Sequence, residues 1–173
     1  MKSSKPKAQS SRKAPLGNGE VPKAAPVDTW LTDDREVEAM ILRDGAPVAK
    51  DRHPWDLEER TAVFGERIVR FSKKIPRDPT NNRLIDQLVG AGTSVGANYR
   101  EANEAVSKKD FNYPISRCVT EAKETKFFLR MVVASEPRLA DEARPLYREA
   151  HELLCIFGSM RHKYRRNERN GYF

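Results

Sequence analysis

The sequence has few of the features on which secreted, membrane-spanning and disulfide-bonded proteins depend. It contains two cysteines, Cys118 and Cys155, and both fall within apolar helical patterns. We expect them to be reduced core residues of a cytoplasmic protein rather than a disulfide. No run of about 18 apolar residues is present, which predicts no membrane span. The N-terminal lysines are followed by no apolar stretch, so a secretory signal is not expected.

The common motifs of catalysis and metal binding are also missing. There is no Cys-x-x-Cys pair, P-loop, Gly-x-Ser-x-Gly or His-Glu-x-x-His. A di-metal helical bundle would carry Glu-x-x-His, but Arg148 stands three residues before His151. His53 and His162 belong to no partner motif. The sequence therefore predicts a protein that is not an enzyme and that uses no cofactor and no metal.

Charge and helical periodicity dominate what is present. Charged residues make up 33% of the 173 residues, the net charge is +7, and the pI is near 9.5. A chain of this charge is attracted to polyanions such as nucleic acid. The length fits one domain with some residues to spare, and no stretch has the alternating pattern of a strand.

An extension, residues 1–52, precedes the predicted bundle. Residues 1–27 are rich in Lys, Ser, Pro and Ala, a composition that predicts disorder. This basic arm is either a phosphate-binding tail or a solubilising leader, and both interpretations stay open. Residues 30–43 mix apolar and acidic side chains and predict a short amphipathic helix. That helix either docks into a partner's groove or folds back on its own bundle.

Residues 53–166 are predicted to form an antiparallel, up-down-up-down four-helix bundle within an all-α fold, followed by a tail at 167–173. Each helix carries apolar residues at three-, four- and seven-residue spacings, for example Phe64, Ile68, Phe71 and Ile75 in the first. Asn81 to Arg130 contains the two central helices.

The helix boundaries follow from capping residues and prolines. Asp56 with Glu59 predicts the first cap, and Pro76 and Pro79 are expected to end that helix. Thr80 or Asn81 is expected to cap the second helix, and Ser107 with Asp110 the third. The third helix is predicted to end near Ala134, before Pro137. The fourth is predicted from about Asp141 to Arg165, with Pro145 in its first turn.

Two sets of residues are candidates for a functional role. The basic set, which we expect to contact phosphates without base specificity, is Lys73, Lys74, Arg77, Arg161, Lys163, Arg165 and Arg166. The polar set lies on otherwise apolar helices and comprises Ser94, Asn98, Glu101, Glu121 and Glu124. Because buried polar groups must be paired, these five predict cross-helix hydrogen bonds with Arg100 or Lys123 as counter-ions. A subunit or ligand contact is the alternative. Gly90, Gly92 and Gly96 are expected to serve helix packing.

Three blocks give the chain a family resemblance: residues 92–102 (GTSVGANYREA), residues 107–111 (SKKDF) and residues 121–125 (EAKET). They resemble the bacterial four-helix-bundle proteins encoded in 23S rRNA intervening sequences. The same superfamily includes the accessory variability determinant of diversity-generating retroelements. The resemblance covers roughly residues 55–163. It implies a homo-oligomeric ring, a pentamer in this family, with a basic surface, and for the retroelement members it implies binding to a reverse transcriptase and its RNA.

Two residues depart from the family pattern. Gly90 stands where these proteins often carry a basic residue, which weakens a nucleic-acid surface there. Pro114 interrupts the start of the third helix, so a kink or a restart at Asn112 is expected.

Two functions therefore stay open. The first is a ring-forming accessory protein that binds RNA. The second is a homo-oligomeric protein–protein adaptor in which charge serves only solubility.

Overall fold

Four α-helices make up most of residues 57–171, which are the part of the chain that the computed structural model describes. They are α1 (Leu57–Ser72), α2 (Pro79–Asn103), α3 (Lys108–Ser135) and α4 (Ala140–Arg169), with a short 3₁₀ turn (Pro137–Leu139) before α4. No strand occurs among these residues. The predicted helix at 30–43, the basic arm at 1–27 and the predicted cap at Asp56 lie outside the described residues.

Contacts between side chains fix the direction of each helix. Arg60, in the first turn of α1, donates to Glu149 at 2.6 Å, whereas Lys74, just beyond α1, pairs with Glu142 near the start of α4. The start of α2 meets the end of α3, where the Ser135 hydroxyl donates to Asn81 at 2.8 Å. The helices therefore run up, down, up and down, and the predicted all-α four-helix bundle is confirmed. We call the end where α1 and α3 finish the upper end, and the end where α2 and α4 finish the lower end.

The predicted apolar stripes form a single core. The largest fully buried side chains come from all four helices and are Phe64, Phe157, Ile68, Leu88, Ile115, Leu129, Leu153, Leu154, Val95, Val119 and Val132. Burying a side chain of this size stabilises the fold by about 1.5–3 kcal/mol. Tyr99 and Phe157 pack with ring centroids 5.4 Å apart, which joins α2 to α4 across the core. Cys118 and Cys155 are buried free thiols, as predicted.

Small residues allow α1 and α2 to approach closely. A Cβ added at Gly92 would lie 2.8 Å from both Cγ atoms of Ile68, and one at Gly96 would lie 3.3 Å from the Thr61 carbonyl oxygen. Both positions therefore serve helix packing, as predicted. Gly90 does not, because a Cβ there would meet nothing within 4 Å. The prediction for Gly90 is wrong, since its side of α2 faces away from α1.

The start of α2 differs from the prediction. Its cap is Asp78, whose carboxylate accepts hydrogen bonds of 2.8 Å from the Thr80 and Asn81 amides. Pro79 is the first residue of the helix rather than part of the stop signal. Proline suits this position, because the amide it lacks would have no partner in the first turn. At α3 the prediction is confirmed, since the Ser107 hydroxyl accepts from the Asp110 amide at 3.1 Å.

Two helices continue through a proline. α3 begins at Lys108 and runs through Pro114 without the restart expected at Asn112. Pro145 lies in the second turn of α4 rather than the first, because that helix begins at Ala140. In each case the carbonyl that loses its amide partner, four residues earlier, belongs to an exposed residue where water can take over. The fourth helix also ends at Arg169 rather than near Arg165.

A buried asparagine ties the upper end together. Asn81 is 0% exposed, and its side-chain amide donates to Asp78 at 2.8 Å and to Glu136 at 3.0 Å. Its side-chain oxygen accepts from Ser135. One amide thus joins the turn between α1 and α2 to the turn between α3 and α4, with both its donors and its acceptor paired.

Candidate nucleic-acid interface

The structure separates the predicted basic set into two groups at opposite ends of the bundle. Lys73, Lys74 and Arg77 follow the last turn of α1 at the upper end, where Lys74 pairs with Glu142. The other four residues, Arg161, Lys163, Arg165 and Arg166, lie in the last turns of α4 at the lower end. Nineteen residues of α4 separate Glu142 from Arg161, which at 1.5 Å per residue is about 28 Å. The predicted set therefore does not form one surface.

The upper group is partly neutralised. Lys74 pairs with Glu142, and Arg77 donates to the side-chain oxygen of Asn82 at 3.4 Å. Lys73 is exposed and has no partner among residues 57–171. It borders a groove of about 600 Å³ between α1 and α2, where Glu58, Glu59 and Glu66 are also found. Arg70 and Arg100 of the same lining pair with Glu66 and Glu58, so the groove carries little net charge and is a poor match for a polyanion.

The lower group is more strongly basic. Arg161, Arg165 and Arg169 follow one another at four-residue intervals, so they share a face of α4. Lys163, Arg165 and Arg169 are exposed, and no described residue pairs with any of them. Glu168 is the one carboxylate between positions 153 and 169 of the helix.

Two members of this basic cluster are not among the residues predicted from the sequence. Lys108 and Lys109 open α3, and the antiparallel packing brings the start of α3 beside the end of α4. Their location was available from the predicted topology, because an up-down-up-down bundle places the start of the third helix and the end of the fourth at one end. We call the lower-end set of Lys108, Lys109, Arg161, Lys163, Arg165, Arg166 and Arg169 the basic end.

A groove of about 470 Å³ opens beside the basic end, between the α2–α3 loop, the start of α3 and the last turns of α4. We call it the end groove. Its lining is mostly apolar, with Lys108 and Lys163 as its charged members, and consists of Ala105, Val106, Ser107, Lys108, Phe111, Met160, Lys163, Tyr164 and Asn167. Phe111 and Met160 also pack against the core. Val106 is 96% exposed.

The predicted polar set does not form one hydrogen-bonded network. Asn98 is buried, but its side-chain amide donates to the Ser94 carbonyl at 2.7 Å within its own helix. Glu101 and Glu124 are exposed. Arg100 was one expected counter-ion, and it pairs instead with Glu58 of α1 at 3.1 Å. The reason is geometric, since adjacent residues of a helix point about 100° apart and Arg100 faces α1. Lys123, the other expected counter-ion, is half-buried on α3.

Carboxylates from two helices act electrostatically on one buried thiol. Burial raises the pKa of Cys118 to about 12, and the nearby charges of Glu121 and Glu101 act in the same direction. The pKa of Glu121 is itself raised, first by burial and then by the charge of Glu124. Burial also raises the pKa of Cys155. Neither thiol is activated as a nucleophile, because reactive cysteines have lowered pKa values.

Residues 57–171 contain no cluster of three or more His, Cys, Asp or Glu side chains that could hold a metal ion. None of the described helices is long and apolar enough to cross a membrane.

Comparison with known proteins gave a family and a related fold. The model of the 23S rRNA-intervening sequence protein family matches residues 56–158. Among solved structures, the chain is similar to a protein of unknown function from the S23 ribosomal protein family of Bacteroides thetaiotaomicron VPI-5482. The two are 26% identical with a TM-score of 0.54, over 61% of this chain and 97% of the other. No curated protein matches the chain.

Proposed function

The chain belongs to the 23S rRNA-intervening sequence protein family, and from that premise we propose that it is a non-enzymatic, homo-oligomeric accessory protein that binds RNA through the basic end. The observation that carries the proposal is the concentration of cationic side chains in the last turns of α4. Three of them, Lys163, Arg165 and Arg169, are exposed, and residues 57–171 offer these three no acidic partner. Cations that are not neutralised by protein carboxylates can bind phosphates and release the counterions of RNA.

The state of the two thiols fits a binding role better than catalysis by a cysteine. Both thiols are buried with raised pKa values, and the described part of the chain contains no candidate metal cluster. Most of these cations extend along the last turns of α4, and two of the seven, Lys108 and Lys163, line the end groove. From Arg161 to Arg169 the helix rises about 12 Å, enough to follow a few phosphates of a single strand.

Exposed aromatic side chains support the oligomeric part of the proposal. Tyr113 is 65% exposed and Phe127 is 51% exposed, and both belong to α3. Fourteen residues separate them, so they lie on nearly the same side of the helix. Phe127 packs edge-on against Phe128 at 5.2 Å, which orients its ring. Aromatic side chains are enriched at protein interfaces, so a subunit contact that covers this side of α3 would bury them.

RNA binding is tested by measuring affinity against salt concentration. The variant replaces Lys163, Arg165 and Arg169 with glutamine, which lowers the net charge from +7 to +4. For a single strand, each phosphate contact contributes about 0.7 to the slope of log affinity against log salt. Losing three contacts should therefore reduce the slope by about 2. An unchanged slope would contradict binding at the basic end.

A control variant with the same change in net charge distinguishes RNA binding at the basic end from general electrostatic attraction. Replacing Lys73, Lys74 and Arg77 with glutamine also lowers the net charge from +7 to +4, but at the upper end. We expect this variant to keep most of the affinity and the slope. Equal losses in the two variants would mean that net charge alone attracts RNA.

Oligomerisation is tested by light scattering on the full chain. We expect a mass near five chains of 19.8 kDa each, and a smaller mass for Phe127→Asp. Val63→Asp, at a 40% exposed position of α1, is the control. A monomeric parent protein would contradict a ring. An oligomer that binds no RNA would point to the protein–protein adaptor.

The resemblance to the accessory variability determinant extends the proposal to a reverse transcriptase as the protein partner. Co-purification of a reverse transcriptase encoded near the gene, dependent on the basic end and on RNA, would support this extension. Co-purification that survives nuclease treatment and the three substitutions at the basic end would contradict the RNA-dependent form.

A further inference from the structure

The end groove has an apolar surface that the described residues leave uncovered. Val106 projects from the α2–α3 loop with 96% of its surface exposed, beside Phe111 and Met160. Lys108 and Lys163 supply its charge, and no carboxylate is among the residues that line it. A matching ligand would therefore combine an apolar face with negative charge.

The N-terminal extension enters the bundle at the same end. Residues 1–56 precede Leu57, the first residue of α1. The next residue, Glu58, accepts hydrogen bonds from Arg100 at 3.1 Å and from Asn103 at 3.3 Å. Asn103 is the last residue of α2, and the groove lining begins two residues later. The point where the extension meets the bundle is thus close to the end groove.

Residues 30–43 have the composition that the groove requires. Trp30, Val37 and Ile41 follow at spacings of seven and four, which places them on one face of a helix. Asp33 and Glu38 fall on either side of that face. The segment contains four carboxylates, at positions 33, 34, 36 and 38, and two basic residues, Arg35 and Arg43, so its net charge is negative. It therefore has the opposite charge to the groove.

The intervening chain is long enough to permit docking within one molecule. Residues 44–56 are thirteen residues, which reach at most about 43 Å when fully extended. A four-helix bundle is roughly two helix diameters across, about 20–25 Å. The segment can therefore reach any position at the lower end.

We propose that residues 30–43 dock as an amphipathic helix into the end groove of the same chain. Trp30, Val37 and Ile41 face Val106, Phe111 and Met160. The flanking carboxylates lie beside Lys108 and Lys163, so the docked segment and RNA compete for Lys163, whereas Arg165, two positions further and on the other side of α4, stays available to RNA. The segment covers the exposed apolar surface of the groove.

Photo-crosslinking of the full chain tests the location. A p-benzoylphenylalanine at position 106 is tolerated sterically, because Val106 is 96% exposed. After irradiation, mass spectrometry should identify crosslinks from position 106 to residues 30–43. The same crosslinker at Val63, 40% exposed on α1 outside the groove, should give none. Crosslinks from position 106 to another segment, or none beyond the adjacent loop, would overturn the proposal.

Isotope labelling shows whether the docked segment and the groove belong to the same chain or to two copies of it. Unlabelled and ¹⁵N-labelled chains are co-refolded, so that any oligomer contains both. Crosslinks within a chain join segments of the same label, whereas crosslinks between copies produce mixed pairs. Same-label crosslinks support docking in one chain, and an equal share of mixed pairs would mean that a second copy supplies the segment.

Fluorescence tests the contact without a crosslinker. In a Trp55→Phe background, Trp30 is the remaining tryptophan. Docking should shift its emission to shorter wavelength than in the urea-unfolded chain. Val106→Asp should abolish that shift through charge repulsion, while Val63→Asp, on α1 outside the groove, should leave it intact. Emission at the unfolded wavelength in the parent, or a shift that survives Val106→Asp, would overturn the proposal. RNA is absent from these experiments, so their outcome is independent of the proposed RNA binding.

Discussion

Two glycines of α2, Gly90 and Gly92, are two positions apart, and protein stability should respond differently to their substitution by alanine. At Gly90 a Cβ would meet nothing within 4 Å, whereas at Gly92 it would lie 2.8 Å from both Cγ atoms of Ile68. Ile68 is 0% exposed and cannot turn away freely. Alanine in a helix interior is favoured over glycine by about 1 kcal/mol at either position. Only Gly92→Ala adds a clash.

The expected magnitudes follow from these two effects. Gly90→Ala should raise the free energy of unfolding by up to about 1 kcal/mol. Forcing an extra methyl group into a packed core costs about 1–3 kcal/mol, so Gly92→Ala should range from neutral to destabilising by about 2 kcal/mol. Because the helix preference is common to both, the difference between the variants, about 1–3 kcal/mol, measures the clash alone.

Urea unfolding of the full chain, followed by circular dichroism, measures both variants. They must be compared at one protein concentration, since the stability of an oligomer depends on it. Ile68→Ala removes both Cγ atoms, so Gly92→Ala should be less harmful in that background than in the parent. If Gly92→Ala stabilises the protein as much as Gly90→Ala does, α1 and α2 do not approach as closely as described.

Three further predictions concern single side chains. Asp78→Ala removes the cap of α2 and should cost about 1 kcal/mol of unfolding free energy, measured by urea denaturation; no loss would mean that the cap is dispensable. Glu121→Gln should slightly stabilise the protein at neutral pH, because burial and Glu124 raise the pKa of Glu121, and the gain should vanish in acid, where both carboxyls are protonated. A gain that persists in acid would have another cause. In a Cys155→Ser background, Cys118 should react with a thiol reagent only when the protein unfolds. Its raised pKa should also make the free energy of unfolding fall between about pH 9 and pH 12, because in that range the thiol ionises in the unfolded chain but not in the folded one. Rapid labelling of the native protein would contradict its burial.

The core was predictable from the sequence because helical periodicity marks the buried face directly. Phe64, Ile68 and Phe71 are buried as their spacing predicts. The capping residues were harder to predict, because a proline can mark either the end of one helix or the first turn of the next. Pro79 was assigned to the end of α1, although Asp78 before it is a good capping residue.

The candidate site was less predictable, because a charge in a sequence has no position until the topology is known. Lys73 and Arg161 were grouped by charge, yet the antiparallel order places them at opposite ends. That order also brings Lys108 beside Lys163, two residues far apart in the chain. Glu101 and Glu124 have the spacing of a shared helix face, but spacing does not reveal that both are exposed.

The buried side-chain amide of Asn81 joins the turns by hydrogen bonds at the upper end of the bundle, and it has no such role at the lower end. It links the two upper turns through Asp78, Glu136 and Ser135, so helices joined there keep their register. The lower end has the α2–α3 loop, the groove and the entry of the extension. Backbone amides should therefore exchange with deuterium more slowly near Asn81 than near Val106. A segment can therefore bind to and dissociate from the lower end without disturbing the helix alignment, because the upper turns maintain that alignment.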